Sequence, residues 1–222
     1  FILPVLFKKY KCHILFSPGG LIFASSITSV TMCRNLQPFE LNEHTTYGIS
    51  IKTIRLYILR FLFRFSFNNS NSVIFLNNYA KNVVIRTYKV CNYTTQIIPH
   101  GVSENFTQNY KKIIPFSKTN QKKKNKIIKL IYVSTIDVYK HQWNVIEAVS
   151  NLIKENYSLK LVLIGGSNSF AKKKLDKAIE KYDPKKEFVK YLGFIDYQHI
   201  HKEYQEANLG IFASSCENMP NI

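Results

Sequence analysis

The chain has 222 residues, enough for one sizeable hydrophobic core or two small ones. Lys and Arg number 31 against 14 Asp and Glu, a formal net charge of +17. That balance implies acidic partners (nucleotide phosphates, nucleic acid or an anionic membrane surface) unless it reflects only an AT-rich coding composition. Cys12, Cys33, Cys91 and Cys216 form no C-x-x-C pair, which argues against a zinc site or disulfide scaffold and fits a reducing cytoplasm. No apolar run reaches the ~18 to 20 residues that a membrane-spanning helix needs.

In chain order, Cys12 to Phe16 reads as a short buried strand running into a turn at Ser17, Pro18, Gly19 and Gly20. Ile27 to Cys33 reads as the next strand, and the loop Arg34, Asn35, Leu36, Gln37, Pro38 and Phe39 follows it. Ile51 to Phe67 is the most apolar and aromatic segment, interrupted by Arg55, Arg60 and Arg64. It reads as a crossover helix in the core with its arginines emerging on one edge, ahead of a helix lying in a membrane interface. Ser72 to Leu76 is a strand, Tyr79 to Val90 a helix, and Thr95 to Pro99 a strand that ends at His100 and Gly101.

From Ser103 to Lys126 apolar periodicity disappears and Lys, Asn, Gln and Ser dominate, with a run at Lys122, Lys123 and Lys124. This reads as a linker or exposed loop. Beyond it an α/β rhythm repeats. Lys129 to Val133 is a strand, Ser134 to His141 a loop, and Gln142 to Glu155 a helix with Val145, Ile146, Val149, Leu152 and Ile153 on one face. Leu159 to Ile164 is a buried strand ending in Gly165 and Gly166, Ala171 to Lys181 a very basic helix, and Glu187 to Leu192 a strand. Strands and helices alternating at these lengths predict a parallel, doubly wound sheet.

The last stretch organises the rest. Gly193 ends a strand, and Tyr197 to Ala207 places Ile200, Tyr204 and Ala207 on one helical face. Asn208 to Ala213 reads as a strand buried on both faces. Ser214, Ser215, Cys216, Glu217 and Asn218 then fall just past a strand's carboxyl end, where ligands bind in parallel sheets.

Gly193, Ala207, Ser214, Ser215 and Glu217 resemble the donor-binding segment of family 4 retaining, nucleotide-sugar-dependent glycosyltransferases of the GT-B fold, "flG, helix, a-d-l-x-v-x-p-S-x-x-E". The ending CENMPNI resembles the branch found among bacterial polysaccharide glycosyltransferases. YVSTIDVYKHQ resembles the family's "vGRl-x-x-x-KG" loop, with Lys140 matching the lysine, Thr135 or Ile136 where the arginine stands and His141 in place of the glycine. IIPHGV resembles "IPNGV" with His100 for the Asn, and Arg34 stands where the family often carries a histidine.

The resemblance implies two Rossmann-like doubly wound domains, both incomplete: a partial acceptor-side domain over 1–104, a linker over 105–126 and a partial nucleotide-sugar-binding domain over 127–222. It implies catalytic roles for Glu217 and Lys140, the lysine gripping the donor diphosphate with an exposed side chain. Donor-binding roles fall to Thr135, Gly165, Gly166, Asn218, Met219, Pro220 and Asn221, and cleft or acceptor-side roles to Arg34, Asn35 and His100. For Lys140 the other reading is a surface lysine, for Glu217 a helix cap, and for Gly165 and Gly166 a plain strand-end turn. The two readings of Arg34 are a ligand contact and a loop anchor, and His100 reads as structural ahead of catalytic.

The implied activity is transfer of a sugar, with retention, from a nucleotide sugar to a saccharide or lipid-linked acceptor in cell-surface polysaccharide synthesis. The expected setting is the cytoplasm, with peripheral contact to an anionic membrane. No cofactor is expected beyond the nucleotide-sugar co-substrate, and no H-E-x-x-H or similar motif suggests a metal. The alternatives are a GT-B-like protein that binds a phosphorylated metabolite without transfer, and a basic nucleic-acid-binding module. The second lacks any RNA-binding or helix-turn-helix signature, so nucleic acid is not an expected partner. The chain starts at Phe1, and the second glutamate of the family's Glu-x7-Glu motif would fall three residues past Ile222, so it reads as a fragment that is itself inactive.

Overall fold

The computed structural model describes residues 2–22, 27–40, 47–48, 50–89, 93–107 and 127–220. Most of the expected linker, from 108 to 126, lies outside the described residues, as do Cys91 and Asn221. Packing divides the chain into two units: Phe1–Gly101 with Cys216–Asn221, and Val102–Ser215 with Ile222.

The first unit holds α1 (Ile2–Lys9), β1 (Ile14–Ser17), β2 (Thr28–Cys33), α2 (Ile51–Asn68), β3 (Ser72–Phe75), α3 (Asn78–Tyr88) and β4 (Thr94–Ile97). Its four strands form a parallel sheet in chain order, β1-β2-β3-β4. Contrary to the expected buried strand, β1 is at the sheet edge with Ile14 and Phe16 exposed. The core is aromatic: Phe39 stacks on Phe67 with ring centroids 6.3 Å apart and meets Tyr88 edge-on at 5.5 Å. Gly20 is pressed against this core, because a Cβ there would meet the Phe63 ring at 2.4 Å and its φ is +87°. The glycine turn after β1 therefore serves helix packing.

Helix α2 begins at an N-cap, Ser50, whose side chain accepts from the Thr53 N–H at 3.2 Å. It buries Leu56, Phe63, Ser66 and Phe67, as a core crossover helix should. The outer face departs from expectation. Ile51, Ile54, Ile58, Phe61 and Phe65 emerge there, so more than arginines face solvent.

The second unit holds α4 (Glu104–Thr107), β5 (Ile128–Val133), a 3-10 turn (Val138–Lys140), α5 (Gln142–Lys154), β6 (Leu159–Ile164), α6 (Ser169–Tyr182), β7 (Val189–Tyr191), α7 (Tyr197–Glu206) and β8 (Leu209–Gly210). Its sheet is parallel in the order β7-β6-β5-β8. Alternate side chains of β5 and β6 enter opposite layers, the period-two geometry of a strand. Leu130, Tyr132, Leu161 and Leu163 pack with Val145, Ile146 and Val149 of α5 and with Ala171 and Leu175 of α6. Ile131, Val133, Val162 and Ile164 pack with Ile200, Tyr204 and Ala207, the last just past α7. Helices thus cover both faces, the doubly wound architecture expected from the alternation. Leu152, placed by periodicity on the inner face of α5, is 40% exposed instead.

Two local devices brace this unit. Asn168 caps α6 by accepting from the Ala171 N–H at 2.8 Å. The buried Asp183 carboxylate accepts from the N–H groups of Glu187, Phe188 and Val189 at 2.7, 3.0 and 2.7 Å, which fixes the turn into β7. The final strand departs from expectation. Only Leu209 and Gly210 join the ladder, at the sheet edge beside β5, and both are exposed. Among the described residues no strand pairs with the outer edge of β8, and neither of its faces is covered.

Candidate functional site

The chain leaves β5, builds β6 and β7 on one side, then returns to place β8 on the other. The strand order therefore reverses between β5 and β8. In open parallel sheets the crevice past the carboxyl ends at such a switch point is where ligands bind. The loops that flank it here are 134–141, after β5, and 211–215, after β8.

These loops are tied to each other. Tyr139 presents its carbonyl oxygen to the Ser215 N–H at 2.9 Å and to the Ser214 and Ser215 hydroxyls at 3.3 and 3.2 Å. His141 Nε2 lies 2.8 Å from Ser215 Oγ. Below them, the buried Tyr132 hydroxyl donates to the Lys140 carbonyl at 2.6 Å and accepts from the Ala213 N–H at 3.2 Å. Tyr132 was not singled out in the sequence, where a tyrosine inside an apolar strand was its only signal.

Lys140 ends the 3-10 turn immediately before α5. Contrary to the expected exposed side chain, it is only 5% exposed. Its ammonium lies 4.9 Å from the Tyr139 ring centroid and 4.8 Å from that of Phe212, so the charge is held against two π faces. His141 follows with φ +54°, the left-handed region that favours glycine. Its side chain makes no cap bond to α5. Gln142 is 1% exposed and donates Nε2 to Ser134 Oγ and to the Thr135 carbonyl, both at 3.0 Å. Among the described residues its Oε1 has no hydrogen-bond partner.

The ends of the neighbouring strands are laced together. Ser134 N–H donates to Ile164 at 2.8 Å, Ile136 N–H to Gly166 at 2.8 Å, and Gly165 N–H to Gly193 at 2.7 Å. Gly165 has φ +143°, and a Cβ there would meet the Ser134 carbonyl oxygen at 2.0 Å. The backbone that approaches Gly165 is that of the β5 loop. Nothing lies within 4 Å of a Cβ built on Gly166, and the Thr135 side chain is exposed.

Thr135, Lys140, Gly165 and Gly166 thus gather at the carboxyl end of one sheet. Arg34, Asn35, His100 and Glu217 to Pro220 belong to the first unit. There Asn218 Nδ2 donates to the Cys33 carbonyl at 2.6 Å, at the end of β2. The Asn77 side-chain amide donates to the Asn218 carbonyl, and the His100 N–H donates to Met219 Sδ at 3.3 Å. Residues 216–220 therefore lie across the carboxyl ends of β2, β3 and β4. Asn35 Oδ1 accepts from the Gln37 N–H at 3.0 Å, holding the loop after β2, while Arg34 is exposed. Glu217 and Met219 are half-buried and Pro220 is exposed. Asn77, which also caps α3 through the Ala80 N–H at 2.8 Å, was missed in the sequence although an Asn before a helix is a cap signal.

Among the described residues no three His, Cys, Asp or Glu side chains are placed to hold a metal ion. No helix among them is long and apolar enough to cross a membrane.

Residues 113–221 match the family model of the Glycosyl transferases group 1. The match takes in the second unit from β5 onward and residues 216–221, which group with the first. Among curated proteins none matches the sequence. Sucrose-phosphate synthase from Thermosynechococcus elongatus is similar in structure, with TM-score 0.72 and 16% identity over 99% of this chain and 54% of that one. HepE from Anabaena, solved with UDP and glucose, gives 0.66 and 14% over 98% and 56%. WaaG, a glycosyltransferase involved in lipopolysaccharide biosynthesis, gives 0.67 and 14% over 97% and 57%. The likeness shows the α/β fold with parallel sheets of GT-B glycosyltransferases. The chain spans about half the length of these structures.

Proposed function

We propose that the chain is part of a family 4 GT-B glycosyltransferase that moves a sugar, with retention, from a nucleotide sugar to a saccharide or lipid-linked acceptor. The observation that carries this reading is the buried Lys140 ammonium at the switch point between β5 and β8, beside the start of α5. Breaking the anomeric carbon–oxygen bond leaves negative charge on a diphosphate. A fixed cation, held where helix N–H groups also point outward, stabilises that charge without reorganising. The acceptor oxygen bonds to the anomeric carbon on the face the diphosphate leaves, and its proton passes to the departing diphosphate.

In this reading Lys140 holds the diphosphate, and Thr135 and the open face of Gly166 border it. The unpartnered Gln142 Oε1 is a ready acceptor for a donor-substrate hydroxyl. Glu217, two residues past the anchored Ser215, is the carboxylate for the donor sugar, and donor-binding roles fall to Asn218, Met219, Pro220 and Asn221. Arg34, Asn35 and His100 belong to the acceptor side. No metal takes part, and the setting is the cytoplasm with cell-surface polysaccharide as the product. The UDP and glucose bound to HepE and the involvement of WaaG in lipopolysaccharide biosynthesis favour a UDP-sugar donor and a surface-glycan acceptor.

The test is acceptor-dependent release of nucleoside diphosphate from a panel of UDP-, GDP- and ADP-sugars with a lipid-linked saccharide. Release with one donor class, and a product of retained anomeric configuration, is the expected result. Inverted product would overturn the family 4 reading, and hydrolysis unaffected by any acceptor would overturn transfer.

A further inference from the structure

We infer that His141 is a second ligand of the donor diphosphate and takes up a proton from solution as the diphosphate binds. The inference rests on the transferase reading of the Lys140 site, to which it adds a residue and a proton linkage. Lys140 and His141 both reach the loop after β8. The ammonium lies 4.8 Å from the Phe212 ring centroid, and the imidazole Nε2 lies 2.8 Å from Ser215 Oγ. Adjacent side chains thus bring a cation and a ring to the same loop at the switch point. At φ +54° a glycine would sit without strain, and the ring makes no cap bond to α5. It is given to the loop contact instead.

The ring is fixed in one sense. Ser215 has a single hydroxyl proton, and the Tyr139 carbonyl takes it at 3.2 Å. Nε2 therefore donates to Ser215 Oγ, and the neutral ring has only a lone pair at Nδ1. Among the described residues Nδ1 has no hydrogen-bond partner. Protonation turns Nδ1 into a donor, which an anion accepts in a charge-assisted bond.

Charge says why a second group is needed. Both phosphates of a donor diphosphate are anionic, yet loops 134–141 and 211–215 contain one cation, Lys140, and one anion, Asp137. His141 is the other group in them that can become positive near neutral pH. Asp137 accepts from the Val138 N–H at 2.7 Å, and Glu147, the first charged residue of α5, accepts from the Tyr182 hydroxyl at 2.6 Å. The Tyr132 hydroxyl donates to the Lys140 carbonyl, and Tyr139 lies beside the ammonium. Cys216 and Glu217 follow Ser215 in sequence.

Calorimetric titration of UDP into the full chain and into His141→Asn tests the inference, because asparagine tolerates the left-handed backbone. Titrations in Hepes and in Tris, whose heats of ionisation differ, count the protons taken up. Wild type should take up more than His141→Asn, since the terminal phosphate of UDP contributes alike to both and cancels. Wild type should bind more tightly than the variant by ~5- to 10-fold at about pH 6 and by less than about twofold at about pH 8. Ser215→Ala removes the partner and keeps the ring, so it should retain the proton uptake. A loss common to both variants and independent of pH would make the contact a loop brace and overturn the inference. Affinity and proton uptake of His141→Asn equal to wild type, with Lys140→Met weakened, would overturn it and leave the Lys140 site standing. No binding of UDP by wild type would overturn both.

Discussion

Asn218 reaches across 185 positions of sequence to donate its side-chain amide to the carbonyl oxygen of Cys33 at 2.6 Å. The contact closes the end of β2 with a segment from far along the chain. Asn218→Ala would leave that carbonyl without its donor, at a cost of about 1–2 kcal/mol. Hydrogen exchange should accelerate over 216–220 and the first unit should unfold at lower denaturant. Unchanged exchange in that segment would mean the bond does not hold it.

The paired glycines after β6 predict opposite outcomes. Gly165→Ala would push a methyl to 2.0 Å from the Ser134 carbonyl oxygen at a φ of +143°. The backbone must shift, at a cost of ~3 kcal/mol or more. Gly166→Ala meets nothing within 4 Å and should stay within about 0.5 kcal/mol of wild type. Thermal denaturation of the two variants reads the contrast, and equal midpoints would refute the close approach.

Cys33 gives a pH dependence. Burial pushes its thiol up from 9.0 to about 12, because the thiolate is disfavoured in the core. In the unfolded chain the thiol ionises near its ordinary value. The stabilisation is therefore complete below pH 9 and is lost progressively as pH rises from 9 toward 12. Stability measured from pH 8 to 11 should fall more steeply in wild type than in Cys33→Ala. Thiol labelling of the native chain should modify the exposed Cys12 long before Cys33.

Burial also changes what Lys140 substitutions are expected to do. The side chain is buried with its ammonium beside Tyr139 and Phe212, so Lys140→Ala should lower stability by ~1–3 kcal/mol. Lys140→Met keeps the volume and should cost less than about 1.5 kcal/mol. Denaturant titration distinguishes these, and an alanine variant as stable as wild type would return the side chain to solvent.

The strands and helices of the second unit were legible because their periods are clean. Leu161 to Ile164 is an unbroken apolar run, and Ile200, Tyr204 and Ala207 share one helical face. What could not be read depended on partners far away in sequence. Lys140 looks like any loop lysine until Phe212 is folded onto it. Residues 216–220 look like an extension of the second unit until Cys33, Asn77 and His100 claim them. In α2 the apolar count is right for a core helix, but counting does not say which face the sheet will cover. His141 stands where the resembled family carries a glycine. Its φ of +54° shows that the position asks for a left-handed residue.

The central claim is that Lys140, at the switch between β5 and β8, is a diphosphate site. Calorimetric titration of UDP into wild type and Lys140→Met tests it most directly, because the methionine variant keeps the fold. The account predicts binding by wild type that weakens by ~10- to 100-fold in the variant, the scale of a lost charge-assisted hydrogen bond. Equal affinity of the two proteins for UDP would contradict it.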